Sequence, residues 1–340
     1  MRHKVVLIPG DGIGPEVAQA AQAVLDATGV NIEWFEHQAG LGAIDAGSDT
    51  VLPQETMQAI RNHGVALKGP CTTPIGDGFS SVNVALRKGL DLYGAVRPIR
   101  NLKGLETRYS DVDIVVVREN TEGLYAGIEN VIKAGIVTSI KLVTEEASRR
   151  IARFAFEYAI KRKRSKVTVF HKANIMKASD GLFIKCSREE HENFSDQVEY
   201  EEMIIDAACM RIVQDPSLFD VILCENFYGD LLSDLAAGFV GGIGVTPGAN
   251  FGKNCAVFEA VHGSAPDIMG QNKANPLALI MTGVMMLRYL NEKTGDAQCE
   301  DAANRVRDSY SACLAAGQKT ADLGGKLTTS QFTEAVIDRI

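Results

Sequence analysis

The sequence predicts an α/β protein with much parallel sheet, and three observations carry that prediction. Short apolar runs alternate with longer segments whose apolar residues recur at helical period. The first such helical segment has a start signal in Pro15 and a stop signal in Gly29. No internal repeat, low-complexity tract or disordered linker interrupts the alternation, so two lobes would have to share a continuous sheet or exchange strands.

In chain order, KVVLIP (residues 4–9) reads as a strand before a helix over 15–28, and VALKG (65–69) as a strand before a helix over 82–92. DIVVV (113–117) precedes a helix over 144–162, and KVTVF (166–170) precedes one over 201–214. FDVILCE (219–225) precedes a helix over 230–240. Residues 126–143 break the pattern: AGIENVIKAGIVTSIKLV is β-branched, is punctuated by Gly127 and Gly135 and has no helical period. It reads as a protruding two-stranded arm, whose exposed edges are best covered by pairing with another subunit.

The 340 residues are 46% apolar, enough for a real core. A net charge of -8 and a pI near 5.4 argue against nucleic acid or an anionic membrane as partner, since both require a basic face. The basic cluster at residues 161–164 stands where a helix should end and complements its dipole. Seven cysteines, an odd number without a CxxC pair, fit reduced thiols in a cytosol-like compartment. The apolar run begins by Lys4 and leaves no room for a leader, so a cytoplasmic protein is expected, and a mitochondrial-matrix one only if a leader has been removed.

Asp230 and Asp234 lie four residues apart in YGDLLSDL, so a helix there stacks both carboxylates on one face, where they can grip a hard cation. The competing reading is two solvated aspartates, although like charges at that spacing repel. Arg87 follows Ser81 and Asn83 on a helix, and Arg97 and Arg118 follow strand-like runs. In α/β sheets the carboxyl ends of strands face the ligand, and Arg grips carboxylates in two parallel bonds, so a multiply charged carboxylic acid is the natural guest. Tyr125, Lys172 and Asp206 are candidates for proton transfer, and Asn174 shares the loop of Lys172; taken singly, half-buried surface residues are the commoner reading. Gly10, Gly12 and Gly14 join a strand to a helix with G-x-G-x-G spacing, which fits a tight turn as well as a cofactor contact. His262, between a strand and a Gly, Ser and Pro loop that carries Asp267, suits a planar hydroxylated ligand, although a lone His is more often structural.

Together these blocks resemble the metal-dependent β-decarboxylating dehydrogenases, the family of isocitrate, 3-isopropylmalate, homoisocitrate and tartrate dehydrogenases. LIPGDGIGPEV, NVALRKGLDLYGAVRP, VVRENTEGLYAG, HKANIMK, NFYGDLLSDLAAG, GGIGVTPGAN and FEAVHGSAPDI occur in family order over nearly the whole chain. The resemblance implies the two-lobed isocitrate/isopropylmalate dehydrogenase-like fold with a mixed, largely parallel sheet, not a Rossmann fold. It implies a discontinuous large cofactor-binding lobe, 1–97 with 246–340, and a small lobe, 98–245, whose arm at about 126–143 clasps the partner of a homodimer with shared active sites. By similarity Arg87, Arg97, Arg118 and Asn174 bind substrate and Tyr125 is the general acid. Lys172 and Asp206 come from the partner subunit, and Asp206, Asp230 and Asp234 ligate Mg²⁺ or Mn²⁺. The cofactor residues implied are Ile13, Thr73, Glu259, His262, Gly263, Ala265, Asp267, Ile268 and Asn275.

Ser81 and Asn83 stand where relatives recognise the distal carboxylate of isocitrate, and an isopropylmalate enzyme would bury an isopropyl group there instead. The polar pair favours isocitrate, a tricarboxylic acid; homoisocitrate, one methylene longer, stays open because a methylene is worth only about 1–3 kcal/mol. Asp267-Ile268 replaces the Lys-Tyr of NADP-using relatives, and Ala321 stands near where they offer another Tyr. A carboxylate accepts from a ribose 2′-hydroxyl and repels a 2′-phosphate by about 1–4 kcal/mol at 4 Å, so NAD is expected. A regulatory subunit of a hetero-oligomeric dehydrogenase is the rival from another class. It would have lost catalytic groups that are all present here.

Overall fold

The computed structural model describes residues 1–72 and 81–340. The chain divides into two compact units, one of Met1–Leu90, Leu102–Arg108 and Val240–Ile340, the other of Asp91–Asn101 and Tyr109–Phe239.

The first unit opens with β1 (His3–Ile8), α1 (Gly14–Ala27), β2 (Ile32–Glu36), α2 (Leu41–Asp45), α3 (Gln54–His63), β3 (Val65–Lys68) and α4 (Val82–Gly89). Pro15 occupies the first turn of α1, and Gly29, at φ 77°, follows its C-cap, as the punctuation predicts. Helix α4 stops at Gly89 instead of running to residue 92.

The second unit contains β4 (Gly94–Arg100), β5 (Asp113–Glu119), β6 (Gly123–Lys133), β7 (Ile136–Leu142), α5 (Glu145–Lys161), β8 (Lys166–His171), α6 (Ser179–His191), β9 (Glu199–Ile204), α7 (Ile205–Gln214), β10 (Val221–Cys224) and α8 (Asn226–Ala237). Its strands lie in the order β4-β5-β10-β8-β9, antiparallel between β4 and β5 and parallel elsewhere. Because β4 pairs with β5 from Gly94↔Glu119 to Arg100↔Asp113, Arg97 clusters with this unit, whereas the resemblance puts residues up to 97 in the other lobe. The helix expected over 201–214 begins only at Ile205. The preceding EYEEMI pairs in parallel with β8 as an edge strand, and its three glutamates suit that edge. Among the described residues strands β6 and β7 form a two-stranded sheet of their own, an antiparallel arm with exposed Val131, Ile132 and Val137.

The chain re-enters the first unit with β11 (Ala249–Phe251), β12 (Ala256–Glu259), α9 (Leu277–Thr294), α10 (Ala297–Ala315) and α11 (Thr329–Ile337). Strand order there is β2-β1-β3-β12-β11, antiparallel only between β11 and β12. Strands β1 and β3 are buried almost throughout, which is why they read as unbroken apolar runs. Helix α9 buries nearly every residue from Leu277 to Leu287. The sheet in each unit is thus mixed and largely parallel. Among the described residues no helix is long and apolar enough to cross a membrane.

Candidate active site

In the second unit, Arg118 lies near the carboxyl end of β5 with its side chain 1% exposed. Its Nε and Nη2 donate to Asn226 Oδ1 at 3.0 and 2.6 Å, and its Nη1 pairs with Asp230. Gly229 makes this possible: a Cβ there would lie 2.7 Å from both Cβ and Cγ of Arg118. Arg97 on β4 donates to Ser233 Oγ at 2.5 Å and to Asp234 Oδ1 at 2.9 Å, and comes within 3.6 Å of Asp230. Asp230 and Asp234 stand one turn apart on α8. That helix starts four residues before the expected position because the Glu225 side chain caps it, accepting from the amides of Phe227 and Tyr228.

The Tyr125 hydroxyl, on β6, donates to Asp230, and the Arg118 guanidinium lies 5.0 Å from its ring centroid. Burial, and then the hydrogen bond to the Asp230 carboxylate, pushes the phenol pKa up, so Tyr125 keeps its proton. Lys172, just after β8, donates to Asp206 Oδ1 at 2.5 Å, and that bond lowers the Asp206 pKa. Asn174 is exposed in the turn that follows. Asp206 stands in the first turn of α7 and does not join Asp230 and Asp234. Among the described residues the one group of three His, Cys, Asp or Glu ligands within 4.8 Å is His3, Asp296 and Cys299, far from these in sequence.

The first unit holds a second set. Lys68, 1% exposed at the end of β3, donates to Glu259 Oε2 at 2.6 Å. Asn250 donates to Glu259 Oε1 at 2.7 Å, and Arg87 lies 3.7 Å away. Burial alone would raise the Glu259 pKa; Lys68 and Arg87 outweigh it and hold the carboxyl at about 2. On α4, Ser81 is the N-cap residue but makes no side-chain capping bond. Asn83 Oδ1 and Arg87 Nε are buried without a hydrogen-bond partner, as is His262 Nε2 in the loop after β12. Burial lowers the His262 pKa and leaves the ring neutral at pH 7. Buried polar atoms left without a partner cost free energy, and these three have capacity for a further hydrogen bond. Asn275 donates to Asp322 Oδ2 at 2.9 Å while its Oδ1 accepts from Leu277 at the start of α9. Gly263 and Asp267 are exposed, Ala265 and Ile268 half-buried, and Ile13 buried. Thr73 lies outside the described residues.

Sequence reasoning missed Lys68, Ser233 and Asn226. A lysine closing the buried run VALK was a usable signal for Lys68, because a charge among strand-core residues needs a partner. Nothing local marks Ser233 or Asn226, whose roles depend on arginines more than a hundred residues away.

Two arginines, a protonated phenol and two helix-borne carboxylates mark the second unit as part of an enzyme for a polyanionic substrate and a hard cation. The chain belongs to the isocitrate/isopropylmalate dehydrogenase family, whose model matches residues 4–336. It is 48% identical over 336 residues to the mitochondrial NAD isocitrate dehydrogenase catalytic subunit 5 of Arabidopsis thaliana, covering 98% of this chain and 87% of that one. It is 49% identical over 339 residues to the mitochondrial NAD isocitrate dehydrogenase subunit alpha of Pongo abelii, covering 99% and 90%. The crystal structure of isocitrate dehydrogenase from Methylococcus capsulatus superposes with a TM-score of 0.93 at 46% identity, covering 99% of both chains.

Proposed function

We propose that the protein catalyses the NAD⁺-dependent oxidative decarboxylation of isocitrate to 2-oxoglutarate and CO₂. The observation that carries this reading is near-half identity over essentially the whole chain to NAD isocitrate dehydrogenase catalytic and alpha subunits, together with the polar Ser81, Asn83 and Arg87 on α4. Homoisocitrate, 3-isopropylmalate and a non-catalytic regulatory role are not favoured.

The donor set fits a divalent cation: Asp230 and Asp234 offer hard oxygen ligands from one helix face, and we assign Mg²⁺ or Mn²⁺ to them. Asp206 does not group with Asp230 and Asp234 within one chain, which supports its being supplied by the partner of a homodimer, with Lys172. The exposed apolar residues of β6 and β7 support that arm as the clasp. Bound cation and NAD⁺ would supply polarisation of the substrate hydroxyl, stabilisation of negative charge on that oxygen, and a hydride acceptor. Arg87, Arg97, Arg118 and Asn174 bind and orient the substrate, and Ser81 and Asn83 take its distal carboxylate. Lys172, paired with Asp206, assists removal of the hydroxyl proton as C2 gives up hydride. After CO₂ leaves, Tyr125, which retains its proton at neutral pH, delivers it to C3.

For the cofactor, Glu259, His262 and Asn275 with the backbone around Ile13, Gly263 and Ala265 form the binding set, and Thr73 is assigned to it by similarity. Asp267 accepts from the adenosine 2′-hydroxyl beside Ile268. A compartment that keeps thiols reduced suits the seven free cysteines; the Arabidopsis thaliana and Pongo abelii relatives are mitochondrial, which gives the expected cytoplasmic location no support. Initial rates with isocitrate, homoisocitrate and 3-isopropylmalate, each with NAD⁺ and NADP⁺ and with or without chelator, test the reading. A higher kcat/KM for any other acid would overturn it.

A further inference from the structure

The loop that follows β12 contains two non-glycine residues in left-handed backbone, Ala265 at φ 36° and Asn272 at φ 55°. Such conformations persist only where surrounding contacts over-determine them. Both ends of this loop are held by the segment that opens α1. At the near end the Ile13 amide donates to Ser264 O at 2.8 Å, Thr72 Oγ1 donates to Ser264 Oγ at 2.6 Å, and a Cβ on Gly12 would stand 2.0 Å from Ser264 O. At the far end Glu16, one turn on from Ile13, uses both carboxylate oxygens: Oε2 accepts from the Gly270 amide at 3.1 Å and Oε1 from the Asn272 amide at 2.7 Å. Asn272 is also tied to α11, its Oδ1 accepting from the Ser330 amide at 2.9 Å and its Nδ2 donating to Ser330 Oγ at 2.9 Å. Between the held ends lie Asp267 and Ile268, in a single short turn in which Gln271 Nε2 donates back to Asp267 O at 2.8 Å.

A first-turn glutamate often serves only the dipole of its own helix. Glu16 makes two charge-assisted bonds to another segment, a geometry that dipole compensation does not require. The G-x-G-x-G turn thus acts as a platform for the loop: Gly12 allows close approach to Ser264, and Glu16 clamps the other side.

We propose that Glu16 is the positioning residue of the cofactor loop, setting where Asp267 and Ile268 stand and thereby the affinity for the dinucleotide and the choice of NAD⁺ over NADP⁺. The inference rests on the assignment of Asp267 to the cofactor ribose made above. Glu16 acts through the loop backbone and touches neither reacting atoms nor substrate. Losing it frees Asp267 to move, which weakens NAD⁺ binding and lessens the repulsion of a 2′-phosphate.

The test compares Glu16→Ala, Glu16→Gln and Asp267→Ala with wild type, by NADH titration, by KM for NAD⁺, NADP⁺ and isocitrate, and by Tm. Glu16→Ala is expected to raise the NADH Kd and the KM for NAD⁺ about tenfold, the scale for losing two charge-assisted bonds that preorganise a site. It should also narrow the NAD⁺ to NADP⁺ preference and leave the KM for isocitrate within about twofold. Glu16→Gln retains one acceptor oxygen and should show about a threefold effect; it carries the test if the alanine variant does not fold. If Asp267→Ala weakens NADH while both Glu16 variants bind as wild type, whatever their Tm, Glu16 is structural only and the inference is wrong. If all three variants bind NADH as wild type, the loop does not read the cofactor, and the assignment of Asp267 falls together with the inference.

Discussion

Lys68 and Glu259 in the first unit are 1% and 13% exposed in their side chains, whereas Asp234 and Asp206 in the second are 59% and 68% exposed. The buried pair is neutralised when the unit folds, and its charges are fixed in place before any ligand arrives. The carboxylates of the second unit pair with Arg97, Arg118 and Lys172 and still present oxygens to solvent. A hard cation can reach Asp206 and Asp234 without the dismantling of a desolvated ion pair, which costs several kcal/mol, whereas the Asp230 side chain is 33% exposed and pairs with the buried Arg118. Under the proposed function the difference separates two tasks: one unit would recognise through preset polarity, and the other would keep charge available for a cation and for proton movement. Substitutions in the first unit should therefore be read in stability and affinity, and those in the second in turnover.

The largest effect is expected at Asp230. Asp230→Asn removes a proposed metal ligand and the partner of both Arg118 and Tyr125, and should lower kcat/KM about 10³-fold or more, on the order of 4 kcal/mol. Chelation should abolish turnover in wild type, with Mg²⁺ or Mn²⁺ restoring it. Full activity in excess chelator would remove the distinction between the units. Glu259 tests the other side. Its pKa of about 2 lies below the ordinary 4.3 of an unfolded glutamate, so its contribution is present above about pH 4.3 and is lost as pH falls toward 2. That contribution is expected to be on the order of a few kcal/mol at neutral pH. Urea unfolding at a series of pH values should show wild type well above Glu259→Gln at pH 7, with the gap closing below pH 4. A gap constant down to pH 2.5 would mean that the carboxylate charge contributes nothing.

The sequence made the strand and helix alternation legible because strands such as β1, β3 and β5 are buried on both faces and so read as unbroken apolar runs. The sequence predicts helix for residues 201–204, the end of β9, because the glutamates of this strand belong to an edge, where neighbours rather than periodicity decide the conformation. The placement of candidate site residues was legible where local grammar carried it: Asp230 and Asp234 one turn apart on a helix by their spacing, and Ser81 at the start of α4. Lys68, Asn226 and Ser233 were not, since each acquires its partner only when distant strands and helices pack.

Asp267→Lys with Ile268→Tyr probes the exposed rim of the first unit. Removing the carboxylate and adding a cation should shift kcat/KM toward NADP⁺ at least about tenfold, or 1.4 kcal/mol. A wild type that already prefers NADP⁺ would refute the premise.

Ser81→Ala should give the smallest change and decides between two readings of one hydroxyl. As a helix cap it would stabilise α4, and losing it would lower Tm, since such caps are worth about 1 kcal/mol. In the structure Ser81 holds the N-cap position without accepting a bond from the helix, so its hydroxyl is not spent on the backbone. Lost recognition of the distal carboxylate should instead raise the KM for isocitrate about tenfold, since a hydrogen bond to a charged group is worth about 1.5–3 kcal/mol and an exposed one falls at the low end. Tm should stay within about 1 °C, because a substitution that breaks no folded-state contact has little effect on stability. A fall in Tm with unchanged isocitrate kinetics would return Ser81 to the helix and leave Asn83 and Arg87, with their unpartnered buried atoms, as the recognition residues of the first unit.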